Sequence, residues 1–126
     1  MAYKILIVDD SKLARMSVAK LLKALRPGWL RLEAGNAEEA LAAMAADRPD
    51  VVLLDFNMPG RDGLDVAAQL QRAYPEIPVA VISANIQIEV VARAGDAGAA
   101  FLPKPLTEEV LATFLSAVET RLLAKT

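Results

Sequence analysis

The sequence predicts an α/β fold: a doubly wound, five-stranded parallel sheet of order 2-1-3-4-5, with helices on both faces. Three observations predict it. Apolar runs of four to five residues alternate with longer stretches of helical period, the pattern of βα units around a parallel sheet. Several runs carry no polar residue on either face, as strands covered on both sides require. Acids, a serine and a lysine follow the runs, at the carboxyl ends where such sheets hold their ligands.

Ile5-Leu6-Ile7-Val8 is the first strand, apolar on both faces, and it ends at Asp9-Asp10. Ser11 can cap the next helix, whose Ala14, Val18, Leu21, Leu22 and Leu25 make one stripe toward the sheet before Pro27-Gly28 stops it. Trp29 to Glu33 alternates apolar and polar, which suits an edge strand. Asn36-Ala37-Glu38-Glu39 reads as a capped helix start, and that helix runs to about Asp47 before Pro49. Val51-Val52-Leu53-Leu54 is the third strand and ends at Asp55.

Asn57-Met58-Pro59-Gly60 and Gly63 supply turn residues before a helix from about Leu64 to Ala73, closed by Tyr74-Pro75. Val79 to Ile82 is the fourth strand, ending at Ser83. A shorter helix follows from about Ile86 to Ala94, its end blurred by Gly95 and Gly98. Ala100-Phe101-Leu102 is the last strand. Lys104 follows it, and Thr107-Glu108-Glu109 opens a final helix carrying Leu111, Phe114, Leu115, Val118 and Leu122.

Length and composition agree with one domain over residues 1–126. The apolar share of 55% exceeds the ordinary globular range of about 45–50% and speaks against disorder. Fourteen basic against sixteen acidic side chains leave a charge of −2, so no positive field draws in DNA or anionic membrane. No apolar run approaches the roughly 18–20 residues that span a bilayer, and Met1-Ala2-Tyr3-Lys4 leads into a strand rather than a signal peptide. A soluble, cytoplasmic protein is expected. Cysteine and histidine are both absent, so chemistry must run on carboxylates, hydroxyls and lysine.

The strand order places a crevice between strands one and three. Adjacent strands lie about 4.8 Å apart, so Asp9-Asp10 and Asp55 crowd three carboxylates together, with Ser83 and Lys104 closing the other side. Such carboxylates push at least one pKa up unless a divalent cation takes up the charge. A hard, oxygen-only site with room for a phosphate suits Mg2+. Taken singly, each residue has an ordinary reading: Asp9-Asp10-Ser11 as a helix cap, Asp55 as a loop acid, Ser83 as turn chemistry, Lys104 as a solvated charge and Phe101 as core.

Ile5 to Ser11, Val51 to Gly63, Val81-Ile82-Ser83-Ala84 and Phe101 to Pro105 resemble the signature segments of the response-regulator receiver family, CheY-like proteins of flavodoxin-like fold, in the stand-alone form. The resemblance spans essentially the whole chain, and the ordered joint match is specific where each piece alone is weak. It implies that Asp55 is the phosphoacceptor and that Asp9 and Asp10 hold Mg2+ with Asp55 and the backbone carbonyl of Asn57. It implies too that Ser83 and Lys104 contact the phosphoryl oxygens, that Phe101 is the switching aromatic, and that Lys104-Pro105 is a cis peptide, a form rare except before proline.

The implied chemistry is phosphoryl transfer by alignment and charge neutralisation, which needs no histidine on the acceptor. Asp55 would form an acyl phosphate, and the loop of Ser83 and the ring of Phe101 would follow it inward. The implied donor is a histidine kinase or histidine phosphotransfer protein in a two-component system or phosphorelay. The implied output is binding of a downstream protein, a phosphatase among the candidates, through the fourth helix, last strand and last helix. A monomer, or a weak dimer formed on phosphorylation, is expected, and not a turnover enzyme.

Phe101 lacks the hydroxyl of the family's frequent tyrosine, and Asn57 and Asn85 occupy positions where the family tunes access of water. Leu13 and Met16, beside Lys12 and Arg15, make either a donor-docking patch or ordinary surface scatter. Three rivals stand beside the receiver reading. A haloacid-dehalogenase-like phosphatase would need an acid where Asn57 stands. A flavin-binding module would need a Gly- and hydroxyl-rich loop where Asp9-Asp10 would repel phosphate. A non-phosphorylated scaffold receiver would not need the complete residue set.

Overall fold

The computed structural model describes residues 3–58, 60–84 and 87–124. Strands Lys4–Val8 (β1), Leu30–Ala34 (β2), Val51–Asp55 (β3), Val79–Ser83 (β4) and Ala100–Pro103 (β5) form a parallel sheet ordered β2-β1-β3-β4-β5, the order expected. Helices Lys12–Leu25 (α1), Ala37–Asp47 (α2), Gly63–Ala73 (α3), Ile88–Asp96 (α4) and Glu108–Leu123 (α5) connect and follow the strands.

Side chains alternate across a strand, and here the alternation divides the core in two. Leu6, Val8, Val52, Leu54, Val79 and Val81 face α2, α3 and α4, meeting Met44, Val66, Leu70 and Val90. Ile5, Ile7, Val51, Leu53, Ala80 and Ile82 face α1 and α5, meeting Leu22, Leu111, Leu115 and Val118. Because both faces are covered, β1, β3 and β4 are apolar along their lengths except at their ends, where Lys4, Asp55 and Ser83 stand. No helix among the described residues is long and apolar enough to cross a membrane.

The caps follow the sequence signals. Ser11 accepts from the Ala14 N–H, Asn36 from Glu39, and Thr107 from Val110. Several boundaries differ from expectation by one or two residues. β2 begins one residue later than Trp29, because the Leu30 N–H pairs with the Tyr3 carbonyl and Trp29 buries its ring edge-on against Tyr3. α3 begins at Gly63 with Asp62 as its cap, whose carboxylate accepts from the Asp65 N–H; Gly63 is a helical residue, not only a turn residue. α4 runs past Ala94 through Gly95 to Asp96, and the chain leaves it at Gly98 with φ +76°, a conformation suited to glycine. Readings that involve Met1, Ala2, Pro59, Asn85 and the start of a helix at Ile86 lie outside the described residues.

Candidate functional site

Register builds the site. Val8 pairs with Leu54 across β1 and β3, so Asp9 and Asp55 leave the sheet side by side. Asp55 pairs with Ile82, and Ser83 pairs with Pro103, so Ser83 and Lys104 step along the same carboxyl-terminal edge. The loops are tied at this edge: the Phe56 N–H donates to the Ile82 carbonyl and the Lys104 N–H to the Ser83 carbonyl.

Carboxylate oxygens of Asp9, Asp10 and Asp55 lie within 4.8 Å of one another. Asp9 and Asp55 are buried, whereas Asp10 is exposed. The Lys104 ammonium donates to Asp55 Oδ1 at 2.5 Å. Burial raises the Asp9 pKa above the ordinary carboxylate value; the Ser11 N–H on Asp9 Oδ1 opposes it, Asp55 adds to it, Lys104 opposes it and Asp10 adds to it. The donor set is all oxygen and crowded with negative charge, with one ammonium bound to one member. These residues fit a hard divalent cation such as Mg2+.

Ser83 is fully buried at the end of β4. Asn57 is exposed two residues beyond Asp55. Phe101 lies apart from the acids, half-buried on β5, in a groove of about 490 Å³ with Leu102, Val110 and Phe114. The Lys104-Pro105 peptide is cis. An apolar cleft of about 540 Å³ opens beside the acids between α1 and the loop after β5, lined by Ala14, Val18, Leu21 and Leu106 as well as by Asp55 and Lys104.

Three contributors to this edge were not assigned a place in it from sequence. Gly63 packs on the Asp55 and Phe56 backbone, and its N–H donates to the Phe56 carbonyl. Arg15 lies with its side chain largely buried and donates to the Asp9 carbonyl. Arg93 of α4 reaches Asp62 at 3.2 Å, tying α4 to the start of α3. Burial would raise the Asp62 pKa, but the Asp65 N–H, the Arg93 guanidinium and the Leu64 N–H together hold it below its usual value. A conspicuous Gly before an amphipathic helix was the one available signal; the two arginines carried none, since their partners are distant in sequence.

Residues 5–116 match the response regulator receiver domain family. The chain is 45% identical over 114 residues to the positive alginate biosynthesis regulatory protein of Pseudomonas aeruginosa, covering 88% of this chain and 45% of that one. It is 40% identical over 114 residues to the response regulator MprA of Mycolicibacterium vanbaalenii, covering 89% of this chain and 48% of that one. The chain thus spans about half the length of these relatives. Among solved structures, the chemotaxis protein CheY4 of Vibrio cholerae superposes with a TM-score of 0.84 at 29% identity, covering 94% of this chain and 99% of that one. With the acid cluster at the carboxyl edge of a 2-1-3-4-5 sheet and this match over most of its length, the chain belongs to the response regulator receiver domain family of two-component signalling.

Proposed function

We propose that the chain is a phosphoaspartate switch that takes a phosphoryl group onto Asp55 in the presence of Mg2+ and signals through a protein partner. The observation that carries this is the meeting of three carboxylates within 4.8 Å, one of them, Asp55, already held by Lys104.

Asp9, Asp10 and Asp55 would hold Mg2+, with the Asn57 carbonyl completing the set; the bound ion supplies neutralisation of the carboxylates and of an incoming phosphate. An Asp55 oxygen attacks phosphorus, the donor's bond to phosphorus breaks, and the leaving group takes its proton from solvent. Lys104 holds the attacking carboxylate before transfer and then neutralises a phosphoryl oxygen as the new bond forms. Ser83 at the adjoining strand end donates its hydroxyl to another. The chain has no histidine, so a phosphohistidine donor must be a separate group, that of a histidine kinase or histidine phosphotransfer protein. The product stays on the protein until hydrolysed, so the chain acts as a stoichiometric switch and not as a turnover enzyme. Movement at Ser83 passes along β4 to β5, where Phe101 sits beside α5, and that face carries the output.

Incubation with acetyl phosphate and Mg2+, followed by intact mass, tests this. One phosphoryl group should appear on the parent and none on Asp55→Asn. Labelling that persists in the variant, or is absent from the parent, overturns the assignment.

A further inference from the structure

We propose that Arg15 is the positioning residue of the Asp9-Asp10 turn, holding both acids in register for a divalent cation; this rests on the cation-binding reading above. Arg15 lies one turn into α1, and its side chain is only 17% exposed. Its Nη1 donates to the Asp9 carbonyl at 2.5 Å. Its Nε donates to Glu33 Oε1 at 2.8 Å, at the far end of β2. One guanidinium therefore ties α1 to the ends of both β1 and β2.

The bond to the Asp9 carbonyl reaches further than Asp9. A peptide unit is planar and stiff, so fixing that oxygen fixes the plane from which Asp10 departs. Asp9 is then held at three points: its N–H by the Ala34 carbonyl, its carboxylate by the Ser11 N–H, and its carbonyl by Arg15. Two bonds in diverging directions from one side chain call for the rigid fork of arginine; a lysine offers its donors from a single point.

Field and positioning make opposite demands. As a nearby positive charge Arg15 disfavours a bound cation, so removing it would tighten binding. As a positioning residue it favours the cation, and removing it weakens binding. Partners that orient metal ligands from outside the first layer commonly matter about 10- to 100-fold in affinity, so the loss should be about tenfold, because Arg15 acts through a backbone carbonyl.

The test is calorimetric titration of the full chain with magnesium chloride alone, for the parent, Arg15→Met and Arg15→Lys, with thermal melts of the metal-free proteins. Arg15→Met should bind Mg2+ about tenfold more weakly than the parent, with Arg15→Lys in between. Equal or tighter binding by Arg15→Met, even with a lowered melting temperature, overturns the proposal and leaves Arg15 a structural residue. Should Arg15→Met fail to fold, Arg15→Lys decides, since its charge is unchanged: weaker binding supports positioning, and parity contradicts it. A parent that does not bind Mg2+ removes the underlying cation reading together with the proposal, an outcome distinct from parity between parent and variants.

Discussion

Gly63 lies so close to Asp55 that a Cβ on it would overlap the Asp55 carbonyl oxygen and stand 2.9 Å from the Phe56 Cα. The obstacle is backbone, which no side-chain rotation relieves. Alanine would gain up to about 1 kcal/mol of helix propensity at an ordinary helical position, whereas overpacking costs about 1–3 kcal/mol. The overlap wins. Gly63→Ala should lower stability in urea by roughly 1–2 kcal/mol and displace Asp55 enough to weaken Mg2+ binding; a stabilised variant would mean that the loop yields freely.

Lys104 is the cation seated on Asp55. Lys104→Met leaves three carboxylates without it. Metal-free stability should fall by on the order of 1–2 kcal/mol, between a surface and a buried pair. Mg2+ should bind more tightly, since a competing positive charge is gone, while phosphorylation by acetyl phosphate slows. Stopped-flow labelling and a Mg2+ titration would read the two effects, and weaker Mg2+ binding would contradict the electrostatic account.

How far the sequence foretold this depended on range. β1, β3 and β4 were legible because burial on both faces writes itself as runs of four Val, Ile, Leu or Ala residues. The acids were legible because they stop those runs. β2 was placed one residue early because the ring of Trp29 is buried outside the strand. α4 lacks a side-chain cap at Gln87, so its start carries no local signal. Arg15 read as part of a surface patch with Leu13 and Met16; those two are exposed, but Arg15 turns inward to a partner 18 residues away. Contacts of that kind are set by the register of β1 on β2, which no local pattern encodes.

Asp9 holds its proton to higher pH in the folded protein than its ordinary value of 3.8. Between those two pH values the native state binds more protons than the unfolded chain. Stability from this group therefore rises as pH falls through the raised value toward 3.8 and is least at neutral pH. Asp9→Asn keeps the oxygen that accepts from Ser11 but carries no charge. It should raise the metal-free melting temperature at neutral pH by roughly 2–6 °C, narrow that gain in acid, and lose the rise that Mg2+ gives the parent. A lower melting temperature at neutral pH would show that burial is not the dominant influence.

Arg93 joins α4 to α3 through Asp62 at 3.2 Å, with both side chains partly exposed. Such a pair contributes about 0–1 kcal/mol, too little to hold the fold but enough to bias a short helix. Arg93→Ala should leave global stability within about 1 kcal/mol and speed hydrogen exchange in α4. It should also raise the Asp62 pKa, since the guanidinium is one of the groups depressing it; unchanged exchange in α4 would mean the pair is idle.

The central claim is that the carboxylate of residue 55, among three neighbouring acids, is the one that carries phosphate. Reductive trapping reads this directly: borohydride converts an aspartyl phosphate to homoserine, and peptide mass spectrometry locates it. After acetyl phosphate and Mg2+, homoserine should appear at position 55 and not at 9 or 10. Homoserine at Asp9 or Asp10, or trapping at position 55 that is independent of acetyl phosphate, would contradict the account.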